Sequence, residues 1–280
     1  MKRRRRPGRG SPEPLETKVS PPAGGGEEKK EIAMGQVIAV VSGKGGTGKT
    51  SFTANVGMAL AQMGHPTLCL DCDVGLRNLD IALAMTDRAM MDFTDVMTER
   101  CSLEDAAARH PGQKNLFLLT APARLGAVDI DREVFRKLFP EIKEKFEYCL
   151  VDAPAGLGAG FQLALTGADR AVVVTTMEAS SLRDAQRTVM ELGCLGRGQV
   201  HLVVNRCRRK LLKSLHQTID DAIDSAGLPL LGVIPEDETM PLYAGRGVPL
   251  LSTNNNCAAS AYRNIAKRID GRRVALMRIR

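Results

Sequence analysis

The sequence predicts an α/β fold, a doubly wound and mainly parallel sheet of seven to eight strands with helices on both faces. Three observations predict it. Seven short aliphatic runs, at 37–41, 67–71, 116–120, 148–152, 171–176, 200–205 and 230–234, are continuous rather than alternating in polarity, as strands buried on both faces are. Helical patterns separate these runs, and regular alternation of strand and helix implies parallel pairing. The 280 residues are 44% hydrophobic but only 4% aromatic, with no Trp, so the core has to be packed from Ala, Val, Leu, Ile and Met.

Residues 1–35 precede this pattern. They contain Pro7, Pro12, Pro14, Pro21, Pro22 and a glycine run at 24–26, too little apolar surface to offset chain entropy, and are expected to form a disordered basic tail. Arg3 to Arg6 resemble the start of a signal peptide, but Pro and Gly follow where an apolar stretch would be required. The tail carries a net +4 and residues 263–280 a net +6, so within a total of +7 the body between them is net −3. Basicity at the ends predicts peripheral contacts and argues against a basic cleft that reads specific nucleic acid.

The first strand, 37–41, runs directly into Ser42-Gly43-Lys44-Gly45-Gly46-Thr47-Gly48-Lys49-Thr50, and a helix pattern follows. This is G-x-x-x-x-G-K-[ST] between a strand and a helix, the context in which the motif binds phosphate. Glycines let successive backbone N–H groups turn inward on phosphate oxygens, and the positive helix end adds to the attraction. Lys49 is expected to reach the β- and γ-phosphates and the Thr50 hydroxyl to sit on Mg²⁺. Lys44 is a second lysine in a loop that already has one, which suggests a phosphate approached from another chain. Val56, Ala59, Leu60 and Met63 then form a helical stripe, stopped by Gly64.

The second strand ends at Asp71, and Asp73 stands two residues on, so both carboxylates can face the crevice at the strands' C-terminal ends. Cys69 and Cys72 spell C-x-x-C, but residues three apart in a strand point to opposite faces, so two packed thiols are expected rather than a redox or metal pair. Seven scattered cysteines argue for a reducing compartment. Asp152 closes the run 148–151, and Asn205 closes 200–204, where it either contacts a ligand or simply caps the strand. A second helical stripe, Leu211, Leu212, Leu215, Ile219, Ala222 and Ile223, ends at Gly227.

These residues also carry a resemblance. The loop from Gly43 to Thr50 resembles the deviant Walker A motif of the MinD/ParA ATPases. Asp71-Cys72-Asp73-Val74-Gly75-Leu76-Arg77-Asn78-Leu79-Asp80 is similar to the D-x-D-x-G-L-R-N-L-D stretch of the MinD branch, and Asp152-Ala153-Pro154-Ala155-Gly156 to the family's Walker B and switch II. Thr175 to Asp184 resembles a segment at the family's dimer face, with Met177 where Pro is usual. Ile234-Pro235-Glu236-Asp237 matches late in the chain. Together the matches cover residues 37 to about 250.

The resemblance implies a P-loop NTPase fold in residues 36–270, followed by a basic tail at 271–280. It implies ATP bound by residues 43–50 and Ser51, with Asn205 and Pro235 at the adenine. The metal set would be Thr50, Asp71 and Asp152, with Asp152 binding Mg²⁺ through a water and Asp71 lying near it. Asp73 would act on the attacking water, and Lys44 would cross a dimer interface to the partner's phosphates, supplying charge in trans.

The implied function is a slow Mg²⁺-dependent ATPase that homodimerises with ATP to place the division septum, working with a division inhibitor or topological-factor protein. Alternatives are a flagellar-number regulator and a ParA-like factor that partitions DNA or cargo. The net −3 body and the G-L-R-N-L-D stretch count against the DNA reading. An iron–sulfur scaffold would need paired cysteines near the C-terminus, where Cys257 stands alone. No run reaches the roughly 18 apolar residues of a membrane span, so the expected location is the cytoplasm. Any contact with an anionic membrane would be peripheral, at the inner face of the cell membrane, through the arginines of 271–280. As a helix that segment would place its apolar side chains almost all round the axis, a poor amphipathic pattern.

Overall fold

The computed structural model of the protein describes residues 34–123, 129–208, 212, 218–245, 251 and 257–277. Leu211 and Leu215 of the second helical stripe, most of the expected N-terminal tail and residues 278–280 lie outside the described residues. Eight strands are described: β1 (Gln36–Val41), β2 (Thr67–Asp71), β3 (Ala108–Arg109), β4 (Leu116–Leu119), β5 (Tyr148–Asp152), β6 (Arg170–Thr175), β7 (Val200–Cys207) and β8 (Leu230–Pro235). They form one sheet in the order β3-β4-β2-β5-β1-β6-β7-β8. Every pairing is parallel except that of β3 with β4 at the edge. β3 is two residues long, too short to leave a periodic signal, and was not expected from the sequence.

Helices cover both faces. In chain order they are α1 (Lys49–Gln62), α2 (Leu79–Ala82), α3 (Phe93–Met97), α4 (Leu103–Ala106), α5 (Arg132–Arg136), α6 (Leu138–Lys145), α7 (Ala159–Ala164), α8 (Ala179–Glu191), α9 (Ile219–Ala226), α10 (Met240–Gly245) and α11 (Cys257–Ile269). The two-residue alternation of the strands assigns the layers. Ile38 and Val40 join the core formed with α1, α2 and α11, while Val37, Ala39 and Val41 join the core formed with α3 to α9. This two-sided burial is why the strands read as continuous apolar runs. Cys69 falls in the first layer and Cys72 in the second, both buried free thiols, as their spacing predicts.

The stripe at Val56, Ala59, Leu60 and Met63 is only part of what α1 buries. From Phe52 to Ala61 every residue of the helix is buried, because α1 is packed between the sheet and α11. Gly57 makes the close approach to the sheet: a Cβ there would lie 2.4 Å from Cys69 Sγ. Side chains close several helix starts. Asp92 and Asp95 form a reciprocal cap on α3, Ser102 and Asp105 on α4, and Thr218 and Asp221 on α9, and Gly227 ends α9 in the left-handed region.

β1 sits between β5 and β6, at the point where the strand order turns outward in both directions, and the P-loop leaves its C-terminal end. That is the position at which open α/β sheets bind ligands. At the opposite end of the sheet, the chain after α11 runs without regular structure through Met277. It lies back against the body, with the Arg268 guanidinium donating to the Val274 carbonyl through Nε at 3.1 Å and Nη2 at 2.7 Å. Among the described residues no helix is long and apolar enough to cross a membrane.

Candidate active site

The P-loop, the ends of β2 and β5 and the end of β7 meet in one crevice. Gly46 and Gly48 take φ of 77° and 93°, in the left-handed region that a side chain resists, so this loop path depends on glycine. Lys49, the first residue of α1, is buried at 7% exposure. Its ammonium donates to Ser42 Oγ at 2.8 Å, and Ser42 Oγ donates to the Lys44 carbonyl at 2.7 Å. Burial lowers the Lys49 pKa, and the charges of Asp152 and Asp73 act against that shift. A buried ammonium whose hydrogen-bond partner is a neutral hydroxyl is electrostatically incomplete, and a phosphate would complete it. Thr47 Oγ1 is likewise buried without a hydrogen-bond partner.

Asp152 ends β5 and is fully enclosed. Thr50 Oγ1 donates to its Oδ2 at 2.7 Å and Thr53 Oγ1 to its Oδ1 at 3.1 Å. Burial pushes its pKa up to about 6, with the hydroxyls and Lys49 pulling the other way. Asp71 stands beside it in register on β2. Burial and the Asp152 charge push Asp71 up to about 7, although two backbone N–H groups stabilise its carboxylate. Those groups are Asp73 N–H to Oδ1 at 2.8 Å and Leu79 N–H to Oδ2 at 3.2 Å, so Asp71 ties both ends of the 73–79 loop to the strand. Asp73 is only half-buried, its pKa raised by burial and lowered by Lys49.

The donor set around Asp152 is made of hydroxyl and carboxylate oxygens, which suits a hard cation such as Mg²⁺. On the other side of the loop lies a cavity of about 300 Å³ whose lining includes Gly46, Gly48, Ser51, Asn205, Pro235 and Tyr262. Asn205 does more there than close a strand. Its Nδ2 donates to the Thr47 carbonyl at 2.8 Å, and its Oδ1 accepts from the Arg206 N–H at 2.9 Å, so the amide orientation is set by the P-loop itself. A Cβ on Gly48 would lie 2.3 Å from that Nδ2.

The structure therefore brings together Gly43 to Ser51, Asp71, Asp73, Asp152, Asn205 and Pro235, residues far apart in sequence. Lys44 is placed differently from Lys49. It is half-exposed, with Nζ 3.2 Å from Glu178 Oε2 and 3.0 Å from Ser180 Oγ at the start of α8. Met177, where the family usually has Pro, is buried in the core just before these two residues. Sequence reasoning gave no role to Thr53 or Tyr262, and named Ser42 and Glu178 only as members of the loop run and of the 175–184 segment. Thr53 lies three residues after Thr50 on one helix face and was legible as such. Tyr262 comes from α11, for which the P-loop motif holds no signal.

Comparison with known proteins agrees with this geometry. A family model described as an AAA domain matches residues 35–194. The septum site-determining protein MinD of Synechocystis is 36% identical over 247 residues, covering 87% of this chain and 92% of that protein. The chain belongs to the MinD/ParA family. Among solved MinD structures, the MinC:MinD cell division protein complex of Aquifex aeolicus superposes with a TM-score of 0.80 at 36% identity, covering 87% of this chain and 99% of that one. MinD of Pyrococcus horikoshii, solved with Mg-ADP, gives a TM-score of 0.74 at 30% identity, covering 85% of this chain and 96% of that one. As a MinD/ParA protein the chain is a P-loop ATPase, and Mg²⁺ with nucleotide is bound within its family.

Proposed function

We propose that this chain is a MinD-like ATP-dependent dimerisation switch that regulates where the division septum forms, and that a division inhibitor is its partner. The Aquifex relative, solved as a MinC:MinD complex, supports that choice of partner. The observation that carries the switch reading is the contrast between the two lysines. Lys49 is buried beside Asp152 and Asp73 and completes the phosphate site within the chain. Lys44, 43% exposed, is held only by exposed side chains and is free to turn to a second molecule.

In this reading the P-loop N–H groups and Lys49 bind the phosphates, and Thr47 Oγ1 gains its missing partner there. Mg²⁺, when bound, would supply charge neutralisation at the phosphates, and Thr50 and Asp152 would hold it. Thr53 keeps Asp152 oriented for that task. Asp71, whose oxygens are committed to the 73–79 loop, lies near where the metal charge would sit and positions Asp73. Asp73, half-buried and near Lys49, orients the attacking water. Asn205 and Pro235 flank the base, Asn205 using the amide N–H that Thr47 leaves over. The basic segments 1–35 and 271–280 are appendages to this ATPase body, and 271–280 is the candidate for peripheral membrane contact.

Co-sedimentation tests the proposal. The full chain is spun with anionic liposomes, with DNA and with a MinC-type inhibitor, each with ATP or ADP. ATP-dependent capture of the inhibitor is the expected result. ATP-dependent binding to DNA alone would replace septum placement by a partitioning function.

A further inference from the structure

A second cavity lies at the end of the sheet opposite the P-loop, where β6, β7 and β8 begin. It is an open groove of about 650 Å³ between those strands and the returning chain after α11. That volume is within the range of small-molecule sites.

Its walls are cationic. Arg170, from the start of β6, is half-buried and donates through Nη1 to Gln36 Oε1 at 3.0 Å and to the Ile269 carbonyl at 3.5 Å. Arg268 is half-buried and donates to the carbonyls of Leu231 and Val274. Both sets of partners are neutral. Among the described residues no carboxylate pairs with either guanidinium, and burial lowers the pKa of both. Arg273, on the returning chain, is exposed and also without a carboxylate partner among those residues. The acids nearest along the chain are already committed: Asp169, beside Arg170, accepts from the Val37 N–H at 2.9 Å and from Lys143 Nζ, and Asp270 accepts from Tyr148 OH at 3.1 Å and from Nε of Arg272, a fourth arginine in the groove lining, at 2.6 Å.

His201, at the start of β7, lines the same groove. Burial and the Arg170 charge lower the pKa of its imidazole, a hydrogen bond to the Gln199 backbone acts against that shift, and its Nδ1 is buried without a hydrogen-bond partner.

Two half-buried guanidiniums facing only neutral acceptors bear a desolvation cost that an anion would offset. Guanidiniums fit the oxygens of a phosphate in bidentate pairs, and three converging on one groove suit a group with several equivalent oxygens better than a single carboxylate. Leu230, Leu231 and Leu276 supply an apolar wall beside them, which suits a phosphate carried on an organic stem. We propose that this groove is a phosphoryl-anion site in which Arg170, Arg268 and Arg273 hold the phosphate of a small phosphoester or of an anionic lipid headgroup. It is separate from the nucleotide site and does not depend on the switch reading.

Calorimetric titration of inorganic phosphate into the full chain, with Mg-ADP saturating the P-loop, tests it. One phosphate per chain is expected, with affinity at least tenfold weaker in Arg273→Gln and in Arg170→Gln. Arg273 is exposed and makes no hydrogen bond or ion pair among the described residues, so its variant decides the matter if Arg170→Gln is unstable. The groove site should survive in Lys49→Ala, which disables the P-loop. Vesicles of phosphatidylglycerol in phosphatidylcholine separate the two sources. Vesicle binding displaced by free phosphate and lost in Arg273→Gln assigns a lipid headgroup, and phosphate uptake with vesicle binding indifferent to both assigns a soluble phosphoester. Absence of saturable phosphate uptake, uptake unchanged in both arginine variants, or uptake lost in Lys49→Ala would overturn the proposal.

Discussion

Lys44→Ala separates the switch from an ordinary P-loop ATPase, and the structure sets the size of each effect. In the single chain, Lys44 and Glu178 are 43% and 65% exposed, so solvent screening limits their ion pair to about 1 kcal/mol or less. Removing Lys44 should therefore shift the unfolding free energy of the monomer by less than that amount. Nucleotide affinity of the monomer should change little, because Lys49 serves the phosphates from within the chain. In a twofold dimer the loss appears twice. A hydrogen bond from a charged group contributes about 1.5–3 kcal/mol, so two lysines reaching across account for about 3–6 kcal/mol. The dimer dissociation constant with ATP should then rise by about 10²- to 10⁴-fold, and hydrolysis should fall with it. Fluorescent-nucleotide titration and light scattering on one sample measure both quantities. If Lys44→Ala dimerised with ATP as tightly as the unmodified chain, or if monomeric nucleotide binding collapsed, Lys44 would not act in trans and the argument from its exposed position would fail.

Glu178→Gln should act with the opposite sign. It removes the anion that holds Lys44 in the free chain, so ATP-dependent dimerisation, followed by light scattering, should strengthen by about three- to tenfold; a weaker dimer would mean Glu178 itself works at the interface. Gly57→Ala should destabilise the chain by about 1–3 kcal/mol in urea melts through the clash with Cys69 Sγ, and Cys69→Ala in the same chain should recover most of the loss. Additive penalties would place the strain elsewhere. The buried carboxylates predict a pH dependence. With Asp71 pushed up to about 7 and Asp152 to about 6, against roughly 4 when unfolded, the folded nucleotide-free chain binds more protons than the unfolded one, and stability falls as pH rises from about 4 to about 7, then levels off for these groups. Thermal melts should show this fall, reduced in Asp152→Asn and offset when Mg-ADP is added at pH 8. A nucleotide-free chain whose stability rose across that window, with Asp152→Asn steeper than the parent, would contradict it.

The nucleotide site was legible because phosphate binding here is a local property. A strand, a glycine-rich turn and a helix start are contiguous in residues 37–62, so Lys49 and Thr50 could be assigned their roles from spacing. Strands buried on both faces leave apolar runs that need no partner to be recognised, which is why seven of the eight were visible. β3 was not, since two residues carry no period, and neither was the near-complete burial of α1, since the helix that covers it comes some 200 residues later.

What the sequence by itself determined is the order of these elements and the chemistry at the end of each: Lys49 and Thr50 after β1, Asp71 at the end of β2, Asp152 at the end of β5, Asn205 in β7. Tertiary structure decided how those groups divide the work. Asp71 and Asp152 both end strands, but β2 and β5 are neighbours in register, and only packing shows that Asp71 spends its oxygens on the 73–79 loop while Asp152 takes the Thr50 and Thr53 hydroxyls. Asn205 read as a strand end or a base contact, and the fold made it also a brace for Thr47. The arginine groove could not be read from the chain at all. Arg170, His201 and Arg268 belong to different elements, and they converge because parallel strands begin at a common edge, where the chain after α11 returns to cover them.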